Sequence, residues 1–280
     1  MSLVILGASG QLARAVIAAL PDPGTLTLVT RDPGAIDVPG AQVRHGDWDR
    51  PDTLRAAFAG GEKLLLISGP NVGQRVPGHK AAIDAAVAAG IGQIAYTSIV
   101  NPSDSNPIAV AAEHRATEEH LRASGAGWTM LRNSIYADLQ VNAMQVALAT
   151  GTHVANSGGG RTSYVARADC ARAAAAVLAS DGHDGCEYDI TGPEALSAQD
   201  VAALFSELGR KTVEAVLVDD GAYAQGLVDH AGLPEPVAKV YATFGTGARL
   251  GYSAPVSTTF EELTGRAPQT LRDVLEGASS

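Results

Sequence analysis

An apolar, β-prone run at residues 2–6 leads without a break into Gly7-Ala8-Ser9-Gly10-Gln11-Leu12. A helical pattern follows at once, with Leu12, Ala15, Val16, Ala19 and Leu20 on one face. A strand, a tight glycine turn and a helix in this order restrict the chain to α/β architectures in which the turn lies at the carboxyl edge of a parallel sheet. Gly7 is expected to turn the chain off the strand. Gly10 is expected to leave room for a close-approaching group, and Ala13 is small enough for helix–strand packing. The amides that open the helix, together with the positive end of its dipole, suit a phosphate or pyrophosphate.

The next strand, residues 25–30, sharpens this reading. Its last residue, Thr30, stands about 20 positions beyond Gly10, where an acidic side chain grips the ribose 2′-hydroxyl of NAD. Here the position is neutral and Arg31 follows. A guanidinium with no carboxylate in the acidic position suits a 2′-phosphate, so the pattern points to NADPH, with NADH possible. Asp32 next door can pair with Arg31 or bind a ribose weakly.

The remaining chain keeps the same rhythm as far as about Asn133. Strands are expected at 41–45, 63–67, 93–98 and 127–132, and helices at 51–58, 76–89 and 107–123. The alternation predicts a doubly wound parallel sheet of the Rossmann type. Beyond it, 167–179 reads as an Ala-rich helix and 187–190 as a short strand. Helices at 197–208, 219–231, 236–244 and 260–263 make a smaller C-terminal α/β cap. The expected division is a dinucleotide-binding unit at 1–150, joined by 165–192, and a substrate-binding cap within 151–280.

Composition narrows the partners. The chain has 280 residues and a net charge of −10, from 20 basic and 30 acidic side chains, which argues against a general nucleic-acid or anionic-membrane binder. Cys170 and Cys186 have no metal-ligand spacing, so no metal site is expected. No apolar run reaches the ~18 residues of a membrane span. The first strand begins at residue 2, so a cytoplasmic protein without a leader is expected, as a monomer or homodimer.

In open α/β sheets the ligand lies beyond the carboxyl ends of the strands. That selects the coenzyme candidates Gly7, Ala8, Ser9, Gly10, Gln11, Leu12, Arg31, Asp47, Ser68, Gly69, Pro70, Gln74, Thr97 and Asn133. Asp47 is expected to meet the adenine amino group or to cap the helix at 51. Gln74 and Arg75 can reach phosphates, and Thr97 can instead satisfy a turn. For the chemistry itself the candidates are Tyr136, just past the sixth strand, and His114, on the helix after the fifth.

These residues also carry a family resemblance. Gly7-Ala-Ser-Gly-Gln-Leu, Arg31, Leu65-Leu-Ile-Ser, Val72-Gly-Gln-Arg and Ala95-Tyr-Thr-Ser belong to it. So do Glu113-His114, Thr117-Glu118, Leu131-Arg-Asn, Tyr136, Arg167-Ala-Asp and the run at 264–270. Together they resemble the NmrA-like group of atypical short-chain dehydrogenases/reductases, within it the type 2 NAD(P)H:quinone oxidoreductases and the triphenylmethane reductases. The resemblance implies NADPH binding and reduction of a quinone or a similar electron-poor aromatic molecule. One departure from the wider superfamily bears on mechanism. Aligning the later Glu and Leu of the helix after the fifth strand puts its usual Tyr-x-x-x-Lys pair on Val110 and His114. A ketone needs a proton delivered to a developing alkoxide, whereas a quinone yields a delocalised phenolate that water can protonate. The missing acid therefore favours a quinone-like acceptor. Two rivals remain: a redox-sensing regulator that binds the dinucleotide without turnover, and a specialised carbonyl or enone reductase in which Tyr136 or His114 supplies the acid.

Overall fold

The computed structural model describes residues 2–21, 25–69 and 71–278. Along the chain run β1 (Ser2–Leu6), α1 (Gln11–Ala19), β2 (Thr25–Thr30), β3 (Gln42–His45), α2 (Leu54–Phe58) and β4 (Lys63–Leu66). Next come α3 (Arg75–Ala88), β5 (Gln93–Ile99), α4 (Ala109–Arg122) and β6 (Gly127–Asn133). They are followed by α5 (Leu139–Thr150), β7 (Thr152–Ala155), β8 (Arg161–Thr162), α6 (Arg167–Ala179) and β9 (Cys186–Ile190). The chain closes with β10 (Leu196–Ser197), α7 (Ala198–Gly209), β11 (Glu214–Leu217), α8 (Asp220–Ala231), α9 (Glu235–Arg249), α10 (Thr259–Thr264) and α11 (Leu271–Ala278).

Seven strands form one sheet in the order β3-β2-β1-β4-β5-β6-β9, and every pairing is parallel. The central strands are apolar on both faces because both are covered. Leu3, Ile5, Leu28 and Leu65 meet α1 and α6, whereas Val4, Leu6, Leu64 and Leu66 meet α2, α3 and α4. The strand order reverses between β1 and β4, so a crevice opens beyond their carboxyl ends. The doubly wound sheet expected from the sequence is the one observed.

The second layer of structure is a cap. α5 shares its core with α7, β7 and α11 around Ala147, Val201, Phe205, Leu271 and Leu275. Two short two-stranded sheets, β7 with β11 and β8 with β10, tie it together. α8 and α9 pack as a pair around Ala224, Ala238 and Ala242. α9 then closes on the start of α4: Val240 and Phe244 lie against Ile99, Val100, Ile108 and Val110. α6, β9 and α10 pack with the sheet, so the chain passes between sheet and cap several times.

Some boundaries differ from the sequence expectation for physical reasons. The helix expected to stop at residue 244 runs on to Arg249, through Gly245 and Gly247. A Cβ at these positions would lie 1.9 Å from Asn156 Oδ1 and 2.4 Å from Ile108 Cγ1 respectively. The glycines there serve close packing rather than a stop. Residues 51–58 are a 3₁₀ turn at Pro51–Thr53 that feeds α2. α5 and α11 had no counterpart in the sequence reading.

Candidate functional site

The glycine bend lies at the crevice. Gly7 takes φ +85°, a left-handed conformation that side chains resist, and both Gly7 and Ala8 donate their amides to Val29 O, at 3.1 and 3.2 Å. The bend therefore holds the end of β1 against the end of β2. Gly10 donates to Gly7 O at 3.0 Å and opens α1 with no side-chain cap and no acidic residue in the first turn. The first amides of α1 are thus left for an outside acceptor, at the positive end of the helix dipole. Ser9, Gly10 and Gln11 are exposed, while Ala8 and Leu12 are buried beneath them.

Arg31 is exposed and makes no side-chain hydrogen bond or ion pair among the described residues. Asp32 does not pair with it. The Asp32 carboxylate accepts the Gly34 amide at 3.1 Å and starts a 3₁₀ turn, which leaves the guanidinium unpaired at the end of β2. Asp47 is half-buried and closes a turn of its own. Its Oδ1 accepts the Asp49 amide at 3.1 Å, and its amide donates to Thr53 Oγ1 at 2.9 Å. It does not cap the helix at 51, because the turn's geometry takes its carboxylate back to Asp49.

Beyond β4 the chain is held by side chains. The Ser68 amide donates to the buried Thr97 hydroxyl at 2.9 Å, so Thr97 ties β4 to β5. Gly69 donates its amide to His79 Nε2 at 3.1 Å, and its carbonyl accepts from Arg75 Nη1 at 3.3 Å. A Cβ on Gly69 would stand 2.7 Å from the Trp48 ring. Pro70 lies outside the described residues. Gln74 is exposed at the start of α3 and, with Trp48, Asp49, Gly69, Arg75 and His79, borders a cleft of about 210 Å³. Arg75 Nη2 is buried there without a partner among the described residues.

His79 and His114 belong to a buried ladder of rings. Trp48, His79, Tyr96 and His114 follow one another at centroid distances of 5.8, 5.6 and 5.7 Å. His114 is 5% exposed, and its Nδ1 lies 2.8 Å from the Tyr96 hydroxyl. Burial, with the charge of Arg75, drives its pKa well below the ordinary histidine value, so the ring stays neutral. The same two causes bring His79 down to about 3. His114 therefore sits inside the α4–β5 interface, not as an acid of near-neutral pKa at the edge. Val110, one turn earlier, packs into the apolar contact with α9.

On the other side of the edge, Asn133 is buried at the end of β6, and its Oδ1 has no partner among the described residues. Tyr136 is half-buried against the α1–α6 core. Burial pushes its phenol well above the usual range, so it stays protonated. The Arg167 guanidinium lies 5.1 Å from its ring centroid and is fixed in turn by Asp138 at 3.0 Å.

Sequence reasoning missed His79 and the part played by Glu113. The signal for His79 was present: Arg75, Gly78, His79 and Ala82 share one helix face, and the two polar residues stand where a core face should be apolar. Glu113 gave none, since it acts on residues about 40 positions away.

Comparison with known proteins matches this geometry. Residues 7–181 match the NAD(P)H-binding family. The chain belongs to that family. It is 35% identical over 277 residues to quinone oxidoreductase 2 of Escherichia coli (strain K12), covering 97% of this chain and 96% of that one. The crystal structure of the E. coli enzyme, described as an NADPH-dependent quinone oxidoreductase complexed with NADPH, superposes with a TM-score of 0.95 at 34% identity. That match covers 99% of this chain and 100% of the other. The triphenylmethane reductase of Citrobacter sp., complexed with NADP(H), superposes with a TM-score of 0.92 at 31% identity, over 99% and 100% of the two chains. No helix among the described residues of this NAD(P)H-binding protein is long and apolar enough to cross a membrane.

Proposed function

We propose that this chain is an NADPH-dependent reductase of quinones and similar conjugated acceptors. The observation that carries the reading is the sheet edge itself: an uncapped, acid-free start of α1 at the glycine bend, with an unpaired Arg31 beside it. These residues fit NADPH. The amides of Ser9, Gln11 and Leu12 would hold the pyrophosphate, and Arg31 the 2′-phosphate. Ser68, Gly69 and Gln74 would border the other half of the dinucleotide, with Asn133 at the end of β6. When bound, NADPH supplies the hydride.

The chain's own task is then to orient a flat acceptor and exclude water. Tyr136, protonated and braced by Arg167, can donate a hydrogen bond to an acceptor oxygen. Val110 stands in an apolar contact where the wider superfamily places its acid, and His114 is neutral and engaged with Tyr96. A site built in this way suits a quinone, which needs no proton from the protein during hydride addition. The names of the E. coli and Citrobacter proteins support the same acceptor class. The test is a turnover screen of the purified protein with NADPH over quinones, triphenylmethane dyes, enones and simple ketones. Oxidation with quinones or dyes and not with ketones is the expected result. Tight NADPH binding with no turnover across the panel would overturn the reading in favour of a dinucleotide sensor.

A further inference from the structure

The backbone at Ser68–Gly69 is unusual in how it is held. It follows β4 at the reversal of strand order, and the bend at Gly7 lies beside it: a Cβ on Gly7 would be 3.8 Å from that of Ile67. Three backbone groups, the two amides and the Gly69 carbonyl, find side-chain partners: Thr97, His79 and Arg75. Gly69 has no side chain to anchor it, and the Trp48 ring forbids one. The Ser68 hydroxyl is left without a partner among the described residues.

The supports behind this loop form a closed set. A backbone amide can only donate, so His79 Nε2 carries no proton, and the neutral ring must carry it on Nδ1. Nδ1 lies 3.1 Å from Thr117 Oγ1, whose own proton goes to the Glu113 carbonyl at 2.9 Å. The His79 ring proton and the Thr117 hydroxyl proton are thereby assigned. The Glu113 carboxylate, from α4, accepts the amides of Gly73 at 3.0 Å and Arg75 at 3.3 Å, and so caps the start of α3 in place of a local side chain. It also pairs with Arg75 Nε at 3.0 Å, with both side chains mostly buried. Arg75 is thus fixed on one side by Glu113 and grips Gly69 O with Nη1.

We propose that Glu113, Arg75 and His79 are positioning residues: a brace spanning α3 and α4 that sets the height of the Ser68–Gly69 backbone at the crevice, and through it the affinity for the reduced coenzyme. The proposal rests on the NADPH reading above. The brace acts through the loop and touches no reacting atom. Its signature is a loss confined to coenzyme binding.

The experiment compares wild type with His79→Leu, His79→Gln and Glu113→Gln. It measures NADPH dissociation constants by calorimetry, KM for NADPH and for a quinone, and melting temperatures. His79→Leu leaves the Gly69 amide without an acceptor, so Kd and KM for NADPH should rise about tenfold, equivalent to one lost buried hydrogen bond. KM for the quinone should stay within about twofold. His79→Gln can offer an oxygen near the Nε2 position and should recover most of the loss, a rescue that general destabilisation does not produce. Glu113→Gln keeps an oxygen for the two amides but loses its charge on Arg75, and should fall between wild type and His79→Leu. If His79→Leu does not fold, Glu113→Gln and His79→Gln decide the matter by the same ordering. NADPH constants unchanged in folded variants, or His79→Gln no better than His79→Leu, would overturn the brace. A wild type that fails to bind NADPH would overturn the coenzyme assignment instead.

Discussion

On the proposed reading, Arg31 sets coenzyme choice because of what its neighbour does. Had Asp32 paired with it, a 2′-phosphate would have met a neutralised guanidinium. Instead Asp32 is committed to the Gly34 amide. Charge-assisted hydrogen bonds to such a group are worth about 1.5–3 kcal/mol, so Arg31→Ala should raise KM for NADPH by about tenfold to a hundredfold. NADH, which lacks that phosphate, should change by less than about threefold. Steady-state kinetics with both coenzymes reads this directly, and equal losses would remove the assignment. The pH dependence of turnover belongs to the same scale. His79 and His114 are held neutral and Tyr136 protonated, so none of them titrates near neutrality. With a saturating quinone, kcat should be flat from about pH 6 to about 9, around the ordinary histidine range. A single sharp ionisation inside that window would show that some other side chain donates a proton in the slow step.

Elements with one clean period were legible in the sequence, and those with none were not. The β1–Gly7–α1 unit and the Ala-rich α6 were placed to within a residue because an apolar run, a glycine turn and an unbroken helical pattern mark them. α5 was missed: its apolar residues Leu139, Val141, Met144, Val146 and Leu148 surround the helix, and Ala147 alone in it is fully buried. Placement at the sheet edge was legible where it depends on backbone (the glycine bend) or on a residue at a strand end (Arg31, Asn133). It was illegible where a helix serves another element, as Glu113 serves α3. Glu118 is a second such case. It is 1% exposed on α4, and both of its oxygens meet Arg132 of β6, at 3.0 and 2.7 Å, while Arg122 and Arg132 both reach Glu187 of β9. Burial would raise the Glu118 pKa, but hydrogen bonds and charge from Arg132 outweigh it and hold the carboxyl below its usual value. Glu118→Leu would strand Arg132 with Glu187 alone and cost about 2–4 kcal/mol. That loss should appear as a lower urea midpoint at unchanged m-value; a midpoint within error of wild type would mean that Arg132 finds solvent instead.

At the scale of the molecule, sheet and cap share a liability to acid that its histidines impose. His79 and His114 are buried between sheet and α3–α4, and His153 packs edge-on to Phe205 in the cap, 5.3 Å between centroids. Burial brings His153 down to about 4, and burial with the charge of Arg75 brings His79 to about 3, from an ordinary 6.5. Above about pH 6.5 neither folded nor unfolded chain binds a proton at these sites, and the fold keeps its full stability. Below that value the unfolded chain takes up protons that the folded chain refuses, so stability is lost as pH falls, until the folded values are reached. The slope is about 1.4 kcal/mol per pH unit for each histidine, or about 2 kcal/mol each by pH 5. Carboxylates held low, such as Glu118 and Asp220, contribute stability that is lost only further down, as the pH falls through the ordinary carboxylate range toward their lowered values. The two effects therefore separate along the pH axis. Urea midpoints should drop between pH 7 and pH 5, before the carboxylates held low are protonated, and His153→Phe should remove its share of that drop while leaving coenzyme affinity alone. Equal midpoints at the two pH values would mean that these rings reach water in the folded state, and with that the tautomer assigned to His79 would lose its support.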